Sequence, residues 1–416
     1  MRPAPFRGVF TQQEPIPEAA IAAAATVLRS GRLHRYNVLP GEVAEAALLE
    51  RDYAAWQGSR FCLACGSGGQ AMQLAMRAFG VKPGEPVLTN AFTLAPVPGA
   101  IAGVGARPVF VETTEDLVID LHDLARKARD SGVRLLLLTH MRGHLVDMDA
   151  LAGVLARCGL TLIEDCAHTM GARWNGRKSG SFGLAACFST QTYKHMNAGE
   201  GGLLTSDDAG FMARAIILSG SYMLYERHGA APDAAAFADA RLDSPNLSAR
   251  MDNLRAAILR PQLATLEDEF VRWNERYEAV AAELRGVPAI RLPRRPAAER
   301  FVGSSIQFLM PGVDEDAARR FLAATADLGV ELKWFGDREP RGFTSSHRSW
   351  RYADPQVLQN SDRVLAVLFD MRIPLTFSVE DCTHIGRIIA HCAGDRGGTD
   401  RAVHVGGDEL AAPTGK

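Results

Sequence analysis

Apolar residues recur three and four positions apart through residues 17–30 and 41–57, each stretch rich in Ala, Leu and Glu and each followed by a glycine, Gly31 and Gly58. That spacing lines one face of a helix, and the glycines supply its stop. Further on the pattern shortens. Apolar runs at 60–65 (RFCLAC), 86–90 (PVLTN), 107–112 (RPVFVE), 134–140 (RLLLLTH), 160–165 (LTLIED) and 186–190 (ACFST) alternate with helical stretches. Residues 135–138 are leucine at every position, as expected of a strand buried on both faces by crossover helices. The runs therefore predict an α/β chain with a mostly parallel sheet, whose ligands belong at the carboxyl ends of the strands.

Residues 249–286 carry a long helical pattern broken by Pro261, and FVGSSIQFLMP (301–311) and AVLFDMRIPL (366–375) read as strands of a second unit. At 416 residues the chain exceeds what one core usually organises. The expected division is a large domain over 1–265, including the N-terminal helical segment, and a smaller C-terminal α+β domain over 266–392. From Ala393 a Gly-, Asp- and Arg-rich stretch without periodicity reads as a disordered tail, 393–416.

Composition narrows the function. Hydrophobic residues at 47% and charged residues at 23% describe a soluble globular chain. With 46 basic and 48 acidic residues the net charge is -2, which leaves no field to hold nucleic acid or an anionic membrane, and neither is expected as a partner. Seven scattered cysteines form no disulfide framework and fit a reducing compartment. The single C-x-x-C, Cys62 and Cys65, has no second pair at zinc-ligand spacing and lies in an apolar run, so a buried strand is expected there and no metal. The start, MRPAPFRGVF, lacks an apolar signal core, and Ala19 to Leu28 is too short to span a bilayer, so a cytoplasmic protein is expected.

Three constellations could carry chemistry. In Ala64–Phe79 a strand ends in a small-residue turn before a helix. Free amides at a helix start suit a phosphate, Gly66, Gly68 and Gly69 allow close approach, and Ser67 offers a hydroxyl. The same turn fits G-x-G-x-x-A through Gly66, Gly68 and Ala71, so a nicotinamide dinucleotide is a rival; it needs an acid at the end of the next strand, where Asn90 stands. In Thr161–Gly183, Asp165 closes an apolar strand and His168 follows. A buried carboxylate there suits a cationic ring nitrogen, bonds to loop amides, or a metal site with Glu164 and His168; the last is disfavoured because adjacent strand residues face opposite ways. In Cys187–Asp208 a lone lysine, Lys194, lies between an apolar strand and the glycines 199, 201 and 202, with Ser189 five residues before it. A desolvated lysine becomes nucleophilic and can form an imine with an aldehyde.

A phosphate cradle, a strand-end Asp and a later lysine together describe the three handles of pyridoxal 5'-phosphate (PLP). In these residues the chain resembles the DegT/StrS family of sugar aminotransferases, PLP enzymes of the aspartate-aminotransferase fold, type I. The motifs are E-D-C-A-H-T-x-G (Glu164–Gly171), G-S-F-G-x-x-x-x-F-S (Gly180–Ser189) and K-x-x-x-x-G-E-G-G (Lys194–Gly202), supported by HMRGHLVDMD (His140–Asp149) and RMDNLRAAILRPQL (Arg250–Leu263). The resemblance runs from about Arg29 to Ile388. It implies Lys194 at the Schiff-base position, Asp165 as partner of the pyridine nitrogen, His168 near the phenolic oxygen, and Ser67, Gly68, Gly69 and Ser189 around the phosphate.

The chain departs from the family pattern at four points. Gly69 replaces a threonine of the phosphate turn. Leu94 follows Thr93 where an aromatic usually stacks on the ring; Leu94 is expected as an apolar lid, with Phe92 as the alternative. Ser248, with Asn246 two residues before, stands where the family's asparagine reaches the neighbouring subunit's phosphate. Gln191, Thr192 and Tyr193 replace the usual residues before the lysine. The resemblance implies a homodimer with shared sites. The activity it implies is transfer of an amino group from an amino acid, glutamate or glutamine, to a keto-sugar, a cyclitol ketone or a related natural-product intermediate. A PLP lyase or dehydratase on the same scaffold is the alternative, and retention of Lys194 beside His195 weighs against relatives that dehydrate with histidine at the lysine position. A noncatalytic regulatory protein is a third reading, against which stands the lack of a DNA-binding segment.

Overall fold

A computed structural model of the chain describes residues 2–394. Its strands in chain order are β1 (Phe61–Cys65), β2 (Pro86–Asn90), β3 (Arg107–Val111), β4 (Leu135–Thr139), β5 (Thr161–Asp165), β6 (Arg173–Trp174), β7 (Arg177–Lys178), β8 (Ala185–Ser189), β9 (Gly202–Ser206), β10 (Glu299–Arg300), β11 (Ser305–Leu309), β12 (Lys333–Trp334) and β13 (Leu368–Arg372). Seven of them form one sheet in the order β1-β9-β8-β5-β4-β2-β3. The pairs β2/β3, β2/β4, β4/β5 and β5/β8 are parallel, while β9 runs antiparallel to both of its neighbours, β1 and β8. The six apolar runs of the first half all become strands of this sheet within a residue or two.

Alternation within the runs explains why both faces are covered. Leu135 and Leu137 pack with Val87 and Ile163 in one buried cluster, and Leu136 and Leu138 pack with Leu88 and Leu162 in the other. The predicted N-terminal helices are Glu18–Ser30 and Glu45–Gln57, closed by Gly31 and Gly58 in the left-handed region at φ 68° and 82°. The pattern broken at Pro261 becomes helix Asn253–Leu259, a 3-10 turn at Arg260–Ala264 and helix Leu266–Leu284.

The second unit is a three-stranded antiparallel sheet, β11-β13-β12, covered by helices Leu266–Leu284 and Val379–Gly394. Its core also contains Phe6 and Phe10, which pack edge to face on Phe377 at 5.0 and 4.9 Å between ring centres. The N-terminal segment, grouped by sequence with the large domain, thus lends its aromatic residues to the core against this three-stranded sheet. The tail expected from Ala393 is corrected at its start: Ala393 and Gly394 still belong to the last helix, and the rest of 393–416 lies outside the described residues. No helix among the described residues is long and apolar enough to cross a membrane.

A buried ion pair fastens the N-terminal segment to β1. Arg35 donates to both oxygens of Glu50 at 2.7 and 2.8 Å, His228 Nε2 lies 3.1 Å from the same carboxylate, and Ala64 of β1 donates its amide to Glu50 at 2.8 Å. Burial alone pushes the Glu50 carboxyl up, but Arg35 and then His228 outweigh it and hold it at about 2. Its contribution to stability is therefore present above the unfolded carboxyl's range and lost as pH falls toward 2. Arg35→Met alone should cost about 3–5 kcal/mol in denaturant unfolding at neutral pH, because Glu50 is left charged and buried. Adding Glu50→Gln, which keeps an acceptor for Ala64, should return part of that loss. A double variant weaker than the single one contradicts the assignment.

Candidate active site

β1 ends at Cys65, and Ser67 begins the helix Gly68–Phe79 as its N-cap, its Oγ accepting from Gln70 N at 3.1 Å. That bond uses a hydroxyl lone pair and leaves the Ser67 proton and the amides of Gly68 and Gly69 available to an anion. Two glycines bring this turn against the neighbouring strands. A Cβ on Gly202, the first residue of β9, would stand 2.4 Å from the carbonyl of Ser67, and one on Gly68 would stand 2.9 Å from Ser189 Cβ. The turn, the end of β8 and the start of β9 are thereby pressed together. At Gly69, by contrast, a Cβ meets only Ser67 Oγ at 3.8 Å, so the missing threonine leaves open space facing the cavity.

Asp165 closes β5 and is buried, with Oδ1 accepting from Ala167 N at 3.1 Å. Glu164 faces the opposite way and accepts from the amides of Gly180, Phe182 and Gly183 at 3.0, 2.7 and 3.0 Å, with His140 Nε2 at 3.0 Å. Glu164 thus organises the loop that leads into β8, and it does not converge with Asp165 and His168. Its oxygens do lie within 4.8 Å of ligand atoms on His140 and Cys166, but they already serve the three amides.

Lys194 Nζ lies 2.7 Å from His168 Nε2, and His168 Nδ1 accepts a long bond from Arg142 N at 3.4 Å. With Nδ1 accepting, the imidazole proton belongs on Nε2, directed at the amine; this assignment follows from the partners. Burial, and next the charge of Arg142, press the Lys194 amine down to about 7, against an opposing pull from Asp165. His168 is pushed well below its ordinary value by burial and then by Lys194. A neutral imidazole and an amine close to neutrality therefore share one contact near pH 7.

These groups line a cavity of about 430 Å³ that includes Ser67, Gly69, Leu94, Asp165, Ser189 and Lys194. Of the two candidates for its apolar lid, Leu94 lines the cavity, while Phe92 is buried against Phe335 with ring centres 5.2 Å apart. Asn246 and Ser248 are not brought there within one chain; both are exposed, and Asn246 Oδ1 accepts from Ser248 N at 2.9 Å. Cys62 and Cys65 are buried in β1, their thiols pushed up by burial. Asn90, where the dinucleotide rival needs an acid, spends its amide on Phe92 O and on Thr139 O and N. Larger surface hollows exist, one of about 750 Å³ beside His122 and Arg294, but they lie away from Lys194.

Sequence reasoning missed Arg142, Lys333, Arg372 and Phe343. The first three are cations in an adjoining cavity of about 280 Å³ that also contains Lys194, and Phe343 lines both cavities. A signal existed for one of them: Arg372 interrupts the apolar run AVLFDMRIPL. The others lie on connections or in a two-residue strand, where no periodicity marks them.

The model of the DegT/DnrJ/EryC1/StrS aminotransferase family matches residues 16–364. The dTDP-3-amino-3,4,6-trideoxy-alpha-D-glucose transaminase of Streptomyces venezuelae is 34% identical over 297 residues, 70% of this chain and 71% of that one. Among solved structures, 3-amino-5-hydroxybenzoic acid synthase superposes with a TM-score of 0.78 at 24% identity, covering 94% of this chain and 100% of that one. DesV of S. venezuelae, solved in complex with a ketimine intermediate, superposes with 0.77 at 25% identity over 94% and 99%. The fold is that of these PLP-dependent aminotransferases, an α/β chain with a mostly parallel central sheet.

The two glycine positions give opposite expectations. Gly202→Ala should lower unfolding stability by about 1–3 kcal/mol, because its methyl group has no room beside Ser67. Gly69→Ala should stay within about 0.5 kcal/mol of the parent. Equal effects in thermal or urea unfolding contradict the close approach at Gly202.

Proposed function

This chain belongs to the DegT/DnrJ/EryC1/StrS aminotransferase family, and on that premise we propose that it moves an amino group from an amino acid to a keto-sugar, a cyclitol ketone or a related ketone, with PLP as the carrier. The observation that carries the reading is the half-buried contact between Lys194 and His168 in one cavity with Asp165 and the Ser67 turn. PLP supplies an aldehyde that takes up the amine and a ring that withdraws electrons when its nitrogen is protonated. The residues fit such a group: a turn crowded against Ser189 with free amides for a phosphate, a buried carboxylate for a ring cation, and an amine close to neutrality for an aldehyde.

In this reading Ser67, Gly68, Gly69 and Ser189 would bind the phosphate, and Asp165 would keep the ring nitrogen protonated. Leu94 would supply an apolar cover that excludes water from the bound group. His168 orients the Lys194 amine and would stand near the phenolic oxygen. Lys194 would hold the cofactor through its amine, and that amine, when free, would carry the donor's α-proton. Glutamate or glutamine is the proposed donor. The assembly is a homodimer in the cytoplasm, in which Asn246 and Ser248 complete the partner subunit's site. Their exposure supports this, as does the exposure of Tyr222, Met223 and Leu242 on the same stretch of chain, an apolar surface expected at an interface.

Lys194→Ala should abolish both the visible absorbance of the lysine-bound cofactor and amine transfer; retained turnover contradicts the role. Imine formation needs the neutral amine, so the rate of PLP uptake should rise through about pH 7 and then level off. A rate still climbing at about pH 10, where an ordinary lysine titrates, would sink the assignment. Sedimentation of the pure protein should give a dimer, and a monomer with full activity excludes the shared site.

A further inference from the structure

The cavity next to Lys194 is rich in cations that the functions assigned above leave unused. Arg142, Lys333 and Arg372 all line it, together with Lys194 itself. Asp370, fully buried, lies behind: its Oδ1 accepts from Gln307 Nε2 at 2.8 Å, and Gln307 Oε1 in turn meets His144 Nε2 at 2.8 Å. Asp370 Oδ2 is 2.8 Å from Arg142 Nη2 and 3.5 Å from Lys333 Nζ. The Arg142 approach is an ion pair by distance without the alignment of a hydrogen bond, so Arg142 Nη2 and Nε, like Arg372 Nη1, are buried with no hydrogen-bond partner among the described residues. Arg372 Nη2 donates to Gln13 Oε1 at 2.6 Å, and its guanidinium stacks over Tyr193 at 4.3 Å.

Three fixed cations face one buried carboxylate, and the exposed Glu331 on the rim adds a second. One positive charge is left without an answering anion, Lys194 aside. Buried N–H groups without acceptors are costly, and more so when they are charged. Arg142 also holds φ 55°, a left-handed conformation unfavourable to a residue with a side chain. Strain of that kind persists where a side chain must point in one direction.

We propose that this cavity receives a carboxylate carried by the ketone acceptor, which is therefore an acidic ketone, with Arg142, Lys333 and Arg372 as its receptor. The inference rests on the proposed transamination and deepens it. Donor and acceptor use one site in turn, so both meet the same cations. The donor brings a carboxylate on its α-carbon; a neutral acceptor in the second half of the cycle would leave the charge and the unpaired N–H groups unanswered. The planar fork of Arg372 suits a carboxylate, and the stacked Tyr193 and the bond to Gln13 hold it in place.

Two measurements on the PLP-loaded enzyme test this. The first uses 3-oxocyclohexanecarboxylate and its neutral counterpart 3-(hydroxymethyl)cyclohexanone as acceptors after loading with an amino donor. The parent should prefer the acid in kcat/KM by on the order of 10- to 100-fold, the worth of a hydrogen-bonded charge. Arg372→Gln and Lys333→Gln should each cut that ratio to below about 3-fold, and Arg372→Lys should restore part of it. Equal use of the two ketones by the parent, or an unchanged ratio in both Gln variants, overturns the proposal. The second measurement is calorimetric titration with cyclohexanecarboxylate against cyclohexylmethanol. The acid alone should bind the parent, at least about tenfold more tightly than it binds Arg372→Gln. The visible absorbance of the bound cofactor reports that each variant is folded and loaded. If no amino donor loads the enzyme, the transamination reading fails, and the titration still decides whether the cavity recognises a carboxylate.

Discussion

At Gly202 two strands and a turn meet with no room for a side chain. The residue pairs with Cys65 on one side and Ser189 on the other, and the carbonyl of Ser67 occupies the place of its missing Cβ. Everything that gathers at this edge of the sheet depends on that closeness. The reversed strand β9 lets β1 and β8 flank it, so a helix start and a strand end that are far apart in sequence face the same cavity. Asp165 comes from the adjoining strand, β5, and the loop between β8 and β9 brings Lys194 back over it. A crossover sheet collects ligand groups at its carboxyl edge. Here the reversal adds the tight turn that suits a phosphate.

The electrostatics of the edge follow from its burial. Glu164 and Asp165 are neighbours with opposite tasks because a strand alternates its side chains. One carboxylate is consumed by three loop amides and holds the path into β8; the other keeps an open side toward the cavity. Desolvation and the nearby arginine bring the Lys194 amine into the range where it can act as nucleophile and proton carrier at neutral pH. The surplus of cations beside it is a different matter. It does nothing for the resting lysine except to press its pKa down, and it is understandable as recognition of an anion brought by a substrate.

Much of this was legible in the sequence. The leucine run at 135–138 implied a sheet covered on both faces, and the glycines after Gln57 and Ser30 marked real helix ends. The Ser67 turn, Asp165 and Lys194 were picked out by residue type at strand ends. Strand β9 was not foreseen, because GLLTS follows directly on the glycine-rich return after Lys194 and its role depends on pairing rather than on pattern. By sequence Phe6 and Phe10 fall within the large domain over 1–265, since nothing local shows that they fill the core of a sheet formed three hundred residues later. Arg142 and Lys333 escaped for a related reason: they face the site through tertiary placement, and no local motif announces a cation on a turn. Asn246 and Ser248 lie exposed in a single chain, so their contribution depends on a second subunit.

The function rests on the proposed linkage of PLP to Lys194, with Asp165 at the ring nitrogen. It is tested most directly by reducing the cofactor-loaded protein with borohydride, which makes the lysine linkage permanent, and mapping the adduct by peptide mass spectrometry. The account predicts a phosphopyridoxyl group on Lys194 and on no other lysine. An adduct on a different lysine, or none in a protein that has retained the cofactor's colour, contradicts it.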